Sequence, residues 1–427
     1  MPPRIGRLPR IGAGVRLLRN PTEFLAAARR RHGDTFVVDA FGYRLFCVFS
    51  PQGVRALYRL EESDASFGLA TYELVMKRKL PSQMLLGRRT LPHDLFARDD
   101  VEEYLDNLDS AVTVQLDELG SDGEFEVFAF ARRLGHRLGL SSWAGADAAS
   151  ARNLARLTPL LDQLDQGESF VRPTSLLRTL VTGRKREIAA MHGIEAIIAE
   201  LIAARSLDSD RAKTDDYLDR IYSAFSDLDE PERSVQTARD IMLIHMGAQS
   251  NLYSALAWTL INLVERPELM ERVRRGDGDL LERAASESIR MAQRSITLRM
   301  VLKPITIDTG PQSYRLEPGT MVTTMLSVTN TTCAAGLERF DPDHYEGRRL
   351  CEHAGPSTTE LVSTFGHGIH ACPAQRFAIS AIRISLMRLL ESFELSKRFD
   401  RPGPLPRQIG GVARADRPCT VAYRARN

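Results

Sequence analysis

The chain has 427 residues, with 57 Lys and Arg against 55 Asp and Glu and a formal net charge of +2. So even a balance does not imply a nucleic-acid partner. Five cysteines, Cys47, Cys333, Cys351, Cys372 and Cys419, are odd in number and scattered, which argues against a disulfide framework and for a reducing, cytoplasmic compartment.

Length alone suggests roughly two or three domains, yet no linker, low-complexity tract or internal repeat interrupts the chain. The opening residues Met1-Pro-Pro-Arg-Ile-Gly-Arg-Leu-Pro-Arg10 are basic and proline-rich, with no apolar run after them. They read as neither signal peptide nor membrane anchor, and residues 1–20 as a lead segment. Phe36 to Phe49 sets two β-rich runs around Phe41-Gly42, which predicts a hairpin. Leu86 to Arg98 holds Arg88, Arg89, His93 and Arg98, and Gly183-Arg-Lys-Arg186 reads as a solvated charge run.

Pro231 to Arg266 contains no internal proline and predicts one helix of about 50 Å. Its middle, Ile241 to Val264, is apolar on nearly all sides. As a membrane span it would carry His245, Gln249, Ser250 and Asn251 near its centre, which is expensive in lipid, so a buried helix with a polar notch fits better. The plainer reading of the notch is a polar patch hydrating a kink at Gly247.

A helix pattern beginning at Leu280 and Leu281 runs to Ala292 and carries Glu287-Ser-Ile-Arg290. The same i,i+3 spacing recurs at Glu230/Arg233, Glu271/Arg274 and Glu346/Arg349, where such pairs usually sit on solvated faces. A strand-like run Ile305-Thr-Ile307, a turn Glu317-Pro-Gly319 and the segment Leu337-Glu-Arg-Phe-Asp-Pro342 follow.

Last comes Phe365-Gly-His-Gly-Ile-His-Ala-Cys-Pro-Ala374, directly before an apolar helix pattern. Gly366 and Gly368 allow backbone angles that other residues resist. A helix starting at Cys372 would turn its first amides toward a negative sulfur. Two rivals are a plain buried cysteine and a mixed zinc site from Cys351, His353, His367, His370 and Cys372, whose one-residue separations are narrow for zinc.

This loop resembles the haem-binding signature of the cytochrome P-450 family, Phe-Gly-x-Gly-x-His-x-Cys-x-Gly, with Ala374 in the last position. The resemblance implies the cytochrome P-450 fold, mainly α with small β-sheets, as a single domain over residues 1–427. It also implies haem b (iron protoporphyrin IX) with Cys372 as axial thiolate, a ligand that favours O–O cleavage. Phe365, Gly366 and Gly368 would border the ring; His370 and Arg299 would hold propionates, and Arg89 is the expected further contact. Position selects Glu287 and Arg290 as the family's Glu-x-x-Arg pair, in a buried network with Arg339 that would be costly to break.

In the central helix the family usually places a glycine, an acid and an alcohol. This chain has Gly247 and Ser250 but Gln249 at the acid position, and an amide orders water without ionising. Gln249, Asn251, Ala255 and Trp258 resemble the branch of sterol 7-hydroxylases and prostacyclin synthase, with Ser254 where those have proline. One of these is an oxygenase and the other rearranges a peroxide.

The function implied is that of a soluble, bacterial-type monooxygenase. Gln249, Ser250 and Asn251 would shape its oxygen pocket, and an apolar small molecule would be its substrate. Electrons would come from a ferredoxin or flavodoxin and its NAD(P)H reductase, docking near Arg376 and Arg383. A peroxide-using isomerase or peroxygenase, and a non-catalytic haem or zinc binding protein, remain alternatives.

Overall fold

The computed structural model describes residues 2–6, 11–87, 101–165, 179, 181–207, 217–347, 350 and 355–426. Its strands in chain order are β1 (Arg4–Ile5), β2 (Thr35–Ala40), β3 (Tyr43–Val48), β4 (Ala65–Ser66), β5 (Asp122–Glu126), β6 (Ile296–Val301), β7 (Ile305–Asp308), β8 (Ser313–Leu316), β9 (Thr320–Met325), β10 (Phe393–Lys397) and β11 (Thr420–Ala425). The helices that bear on function are α1 (Phe67–Thr71), α2 (Val101–Asp117), α3 (Val127–Trp143), α4 (Ala151–Leu164), α5 (Lys185–Leu207), α6 (Glu232–Val264), α7 (Gly278–Ala292) and α8 (Gln375–Ser392). Contacts divide the chain into one unit of Met1–Met76, Arg283–Cys372 and Pro402–Arg417 and another of Lys77–Glu282, Pro373–Arg401 and Pro418–Asn427.

The first unit is built on a six-stranded sheet in the order β1-β2-β3-β9-β6-β4. The expected hairpin is β2 and β3, with Thr35 opposite Val48 and Ala40 opposite Tyr43. Phe41 and Gly42 both take positive φ, 50° and 86°, the mirrored turn whose twist suits paired strands. Strand β9 is buried along its whole length between β3 and β6, and it feeds two cores by alternation. Met321 and Met325 join Phe36, Val38 and Cys47, while Val322 joins Val37, Phe46 and Val48. Anchored against β9, strand β6 carries Arg299 into this interior, where it is 1% exposed.

The second unit is organised along α6, whose 33 residues agree with the predicted single helix. From Leu252 to Val264 every side chain is buried, which an amphipathic surface helix could not tolerate. Helix α3 lies along it. A Cβ at Gly139 would come within 2.4 Å of the Trp143 ring and 3.0 Å of His245 Nδ1, so glycine is what permits that approach. An antiparallel sheet β10-β11-β5 completes the unit.

The Glu287–Arg290 pair lies at 0% exposure on α7. Arg290 donates to Glu287 from Nε at 2.7 Å and from Nη2 at 2.6 Å, and gives Nη1 to the carbonyls of Asn330 (2.5 Å) and Leu337 (2.7 Å). Arg339 corrects the expectation. Only its carbonyl enters the network, accepting from Arg290 Nη2 at 3.1 Å, while its side chain is 80% exposed beside Glu338. The third side chain is His344, whose Nδ1 lies 3.0 Å from Glu287 Oε1, and the Asp341 amide donates to the same oxygen at 2.9 Å. Those bonds occupy both carboxylate oxygens, and a second buried guanidinium would lack a counter-charge. Burial works against ionisation of Glu287, but bonds from Arg290 and His344 hold its carboxyl below the usual range.

Two further expectations change. Helix α8 begins at Gln375, three residues beyond Cys372, so the cysteine belongs to the loop and not to the first turn. Arg274 is not on a solvated face: it is 9% exposed and shared between Glu271 (3.8 Å) and Glu394 (3.1 Å). Replacing Glu287 by alanine strands Arg290 and is expected to destabilise the protein by roughly 3–5 kcal/mol. Glu271→Ala removes a 55% exposed carboxylate whose partner keeps Glu394, and about 1 kcal/mol or less is expected. Thermal melts of the two variants check this, and equal losses would refute it.

Candidate functional site

The network supports the cysteine loop from beneath. Asn330, whose carbonyl accepts from Arg290, donates its amide to the carbonyls of Arg290 (3.2 Å) and Ser363 (3.0 Å) and accepts from the Ser363 amide at 2.8 Å. Ser363 Oγ in turn takes the Gly366 amide at 3.0 Å, and Gln293 Nε2 donates to the Thr364 carbonyl at 3.3 Å. The loop then closes on itself through Cys372 N to Phe365 O at 2.7 Å. Gly366 and Gly368 hold φ of +79° and +66°, and a Cβ there would meet His370 O at 3.0 Å and Tyr58 O at 3.2 Å. The Cys372 residue is left exposed.

His370 and Arg299 converge on a third side chain. The Phe67 ring lies 5.0 Å from the His370 ring and 5.1 Å from the Arg299 guanidinium. Glu62 fixes this arrangement: it accepts from the amides of Phe67 and Gly68, each at 3.0 Å, from the Ser66 hydroxyl, and from His370 Nε2 at 3.0 Å. Burial opposes the charge on Glu62, but these donors hold its carboxyl below the usual range. Burial, reinforced by Arg299, lowers the His370 pKa, and Glu62 opposes that shift.

Arg299 gives Nη1 to its neighbour Leu298 O at 3.0 Å, while its enclosed Nε has no partner and no acid pairs with it among the described residues. Burial pulls its pKa down, only partly offset by Glu62 and Tyr58. A buried cation lacking an anion, two glycines where side chains would intrude and an accessible thiol at the loop's end together fit a flat macrocycle bearing carboxylates.

The zinc alternative gains nothing: His367 spends Nε2 on the Val362 carbonyl at 2.9 Å, and no cluster of metal-ligating side chains occurs among the described residues. Arg89, Cys351 and His353 lie outside the described residues.

On α6 the predicted notch divides between two faces. Leu243, Ile244, Gly247, Ala248, Ser250 and Asn251 keep solvent access, while Gln249 is 1% exposed. At about 100° per residue, Gln249 points away from the stripe that Gly247, Ser250 and Asn251 share. It therefore does not join Ser250 and Asn251 in one pocket, and its amide makes no hydrogen bond of good geometry among the described residues.

That buried face holds a chain of polar groups that the sequence does not announce. Trp143 Nε1 donates to His245 Nδ1 at 3.0 Å, His245 Nε2 and His136 Nδ1 are 2.9 Å apart, and His136 Nε2 lies 3.0 Å from Asp162 Oδ1. An indole nitrogen only donates, so His245 must carry its proton on Nε2 and His136 must carry one toward Asp162. Burial drives the His245 pKa well below its ordinary value, the neighbouring His136 ring adds to the shift, and Gln249, one turn on, opposes it without reaching hydrogen-bond geometry. Neither this chain nor Glu62 and Phe67 has a local motif. The histidine series is joined across 26 to 109 residues, and Glu62, which meets Phe67 within a local turn, reaches His370 across 308.

Comparison with known proteins is consistent with this geometry. The cytochrome P450 family model matches residues 164–421. The chain is 22% identical over 467 residues to a human 24-hydroxycholesterol 7-alpha-hydroxylase, covering 100% of this chain and 94% of the relative. It is 23% identical over 414 residues to a putative cytochrome P450 120 of Synechocystis, covering 92% and 90%. The solved structure of a retinoic acid bound cyanobacterial CYP120A1 superposes with a TM-score of 0.74 at 17% identity, covering 100% of this chain and 99% of that one. No described helix is long and apolar enough to cross a membrane.

The depressed His245 pKa makes stability depend on pH. The unfolded histidine takes up a proton near pH 6.5 that the folded one refuses. Stability contributed by neutral His245 is thus complete above about pH 6.5 and falls by up to ~1.4 kcal/mol per pH unit below it. His245→Leu is expected to flatten the fall in melting temperature between about pH 6.5 and 5.5 relative to the wild type; parallel curves would show that His245 is not the group responsible.

Proposed function

The chain belongs to the cytochrome P450 family and is a haem-thiolate monooxygenase; on that premise we propose that Cys372 is its axial thiolate and that His370 and Arg299 hold the propionates. The observation that carries this reading is the closed glycine loop, with Cys372 exposed at its end and Arg299 enclosed without an acid. When bound, the haem-thiolate group supplies reductive activation of dioxygen and insertion of one of its atoms into the substrate.

The chain's own residues do the rest. Phe365, Gly366 and Gly368 border the ring, and the Glu287–Arg290 network keeps the loop in register through Asn330. Phe67 spaces the two propionate grips, with Glu62 holding it in place. Arg89 remains a proposed further contact. On α6, the Ser250 hydroxyl holds and passes a proton, and Asn251 is a neutral donor beside it. Gln249 acts from behind, on the face of His245.

Enzymes of this family generally draw electrons from redox partners; for this one we propose a ferredoxin or flavodoxin with its NAD(P)H reductase, in the cytoplasm. The exposed Arg376 supports docking near the cysteine loop, whereas Arg383 already pairs with Glu282 at 3.3 Å. A single domain over the whole chain is supported by a family match that runs through both compact units and by complete coverage of the solved relative. The substrate is an apolar small molecule, in keeping with the sterol and retinoid in the relatives' names.

Two experiments test the assignments. Cys372→Ala is expected to abolish the thiolate-type absorption of the reduced carbon monoxide complex, whereas alanine at Cys47, Cys333, Cys351 or Cys419 leaves it; retention in Cys372→Ala would remove the ligand assignment. Turnover is expected to require NAD(P)H and a redox partner. Ser250→Ala should then lower product per electron by about 10-fold or more and raise hydrogen peroxide release, since positioned proton donors contribute roughly 100-fold or more. Gln249→Ala should leave the coupling ratio near wild type. Rapid rearrangement of hydroperoxides without any reductant, lost in Asn251→Ala but not in Ser250→Ala, would favour peroxide chemistry instead.

A further inference from the structure

We propose that the corner of the first unit formed by Ile11, Val15 and Phe41 docks reversibly on an anionic lipid bilayer, an association that does not depend on the substrate reading above. Charge is concentrated in this part of the sequence. Residues 1–44 hold nine arginines against Glu23, Asp34 and Asp39, a net +6, so the remainder of a chain whose total is +2 carries −4. Such asymmetry points to an anionic partner or membrane surface.

The fold gathers three exposed apolar side chains beside this charge. Residues 11–15 are fastened to the end of β2 and to its turn: Ala13 N donates to Asp39 O at 2.7 Å, Phe41 N donates to Ile11 O at 3.3 Å, and Gly12 bridges to Ala40. The Phe41 ring lies across Gly14, where a Cβ would come within 2.5 Å of it. Ala13 and Leu17 anchor the segment in the core with Phe36 and Val38, while Ile11, Val15 and Phe41 remain 49, 65 and 44% exposed. Single exposed apolar residues are ordinary; a group of three held around one turn on a fixed backbone is an interaction surface.

Phe41 carries the argument furthest. A two-residue hairpin loop with positive φ at both positions is made most easily by Asn-Gly, and a left-handed backbone is costly for a bulky side chain. This chain sets Phe41 there at φ 50°, ahead of Gly42 at 86°. The strain is not repaid by burial in the core, since the ring stays largely in solvent. It is accounted for when the ring has an apolar phase outside the protein to enter.

The charges around it are available. Asp39 is taken by Arg4 and flanked by Arg44 at 4.0 Å, Glu23 by Arg30 at 2.7 Å and Asp34 by Arg29 at 2.6 Å, whereas Arg16 and Arg19 pair with no acid among the described residues. Val15 and Arg19 share a face of the short helix Gly14–Arg19, one turn apart, and both are exposed. Aliphatic and phenyl side chains without a hydrogen-bonding group, rimmed by unpaired guanidinium groups, match an interface where lipid phosphates lie above acyl chains. An acidic protein or a nucleic acid would satisfy the arginines and leave Ile11 and Val15 unmatched.

The test sediments the haem-loaded full chain with vesicles of phosphatidylcholine alone or of equal parts phosphatidylcholine and phosphatidylglycerol. Wild type is expected to bind the mixed vesicles at least about 10-fold more tightly than the neutral ones and to be released as salt rises. Phe41→Asn suits the turn, so it should keep or raise the melting temperature while weakening vesicle binding by about 10-fold. Val15→Ser should also weaken binding and serves if Phe41→Asn does not accumulate, whereas Val114→Ser, at an exposed valine of α2, should change nothing. Arg16→Gln with Arg19→Gln should reduce the preference for phosphatidylglycerol. Failure of the wild type to bind either vesicle, unchanged binding in Phe41→Asn or Val15→Ser, or an equal loss in Val114→Ser overturns the proposal. So does binding that needs Arg16 and Arg19 but neither Phe41 nor Val15, the pattern of a site for an acidic protein or a nucleic acid. Each of these results leaves the haem-thiolate reading intact.

Discussion

The Glu287–Arg290 ion pair is the constraint on which the first unit depends. It is wholly buried, so every donor and acceptor on it must be met, and it meets them with carbonyls and an amide from the segment Asn330 to Asp341 and with the His344 ring. The chain is thereby held where Asn330 can reach Ser363, and Ser363 can reach Gly366. Loop geometry at the cysteine is in this sense a consequence of satisfying one buried charge pair. A hydrophobic replacement could match the volume but would not dictate where five separate backbone and side-chain groups must sit.

A different use of polarity appears on α6. The helix is buried for most of its length, yet its two polar faces serve unlike ends. One carries the closed chain from Trp143 through His245 and His136 to Asp162, in which each proton has a single allowed place. Because the indole cannot pass a proton on, this chain orients α3, α4 and α6 and does not conduct. The other face, with Gly247, Ser250 and Asn251, is left open and is where proton handling is available. Separating an enclosed polar face from one with solvent access lets the same helix pack tightly on one side and stay reachable on the other.

A cation without an acid marks one further position. Arg290, Arg239 and Arg388 are each matched by a carboxylate, whereas none pairs with Arg299 among the described residues. The matching charge there is one that a bound molecule would bring.

Much of this was legible in the sequence, because the signals were local. The glycine loop with its cysteine, the Glu-x-x-Arg spacing, the hairpin around Phe41-Gly42 and the uninterrupted central helix each depend on residues adjacent in the chain, and so does the resemblance they carry. What the tertiary structure alone decided depends on chain segments meeting after long separations. His344, and not the Arg339 side chain, completes the Glu287 network because the return of the segment presents a carbonyl at 339 and a ring at 344. Gln249 turns inward because α3 occupies that side of α6, which no reading of Gln-Ser-Asn could reveal. Glu62 and Phe67 reach His370 only because β4 and α1 lie beside the cysteine loop, 308 residues away in sequence for Glu62. Spacing along a chain determines which face a residue joins within one element; only the packing of elements against each other determines which face is buried, and so which residues are free to act.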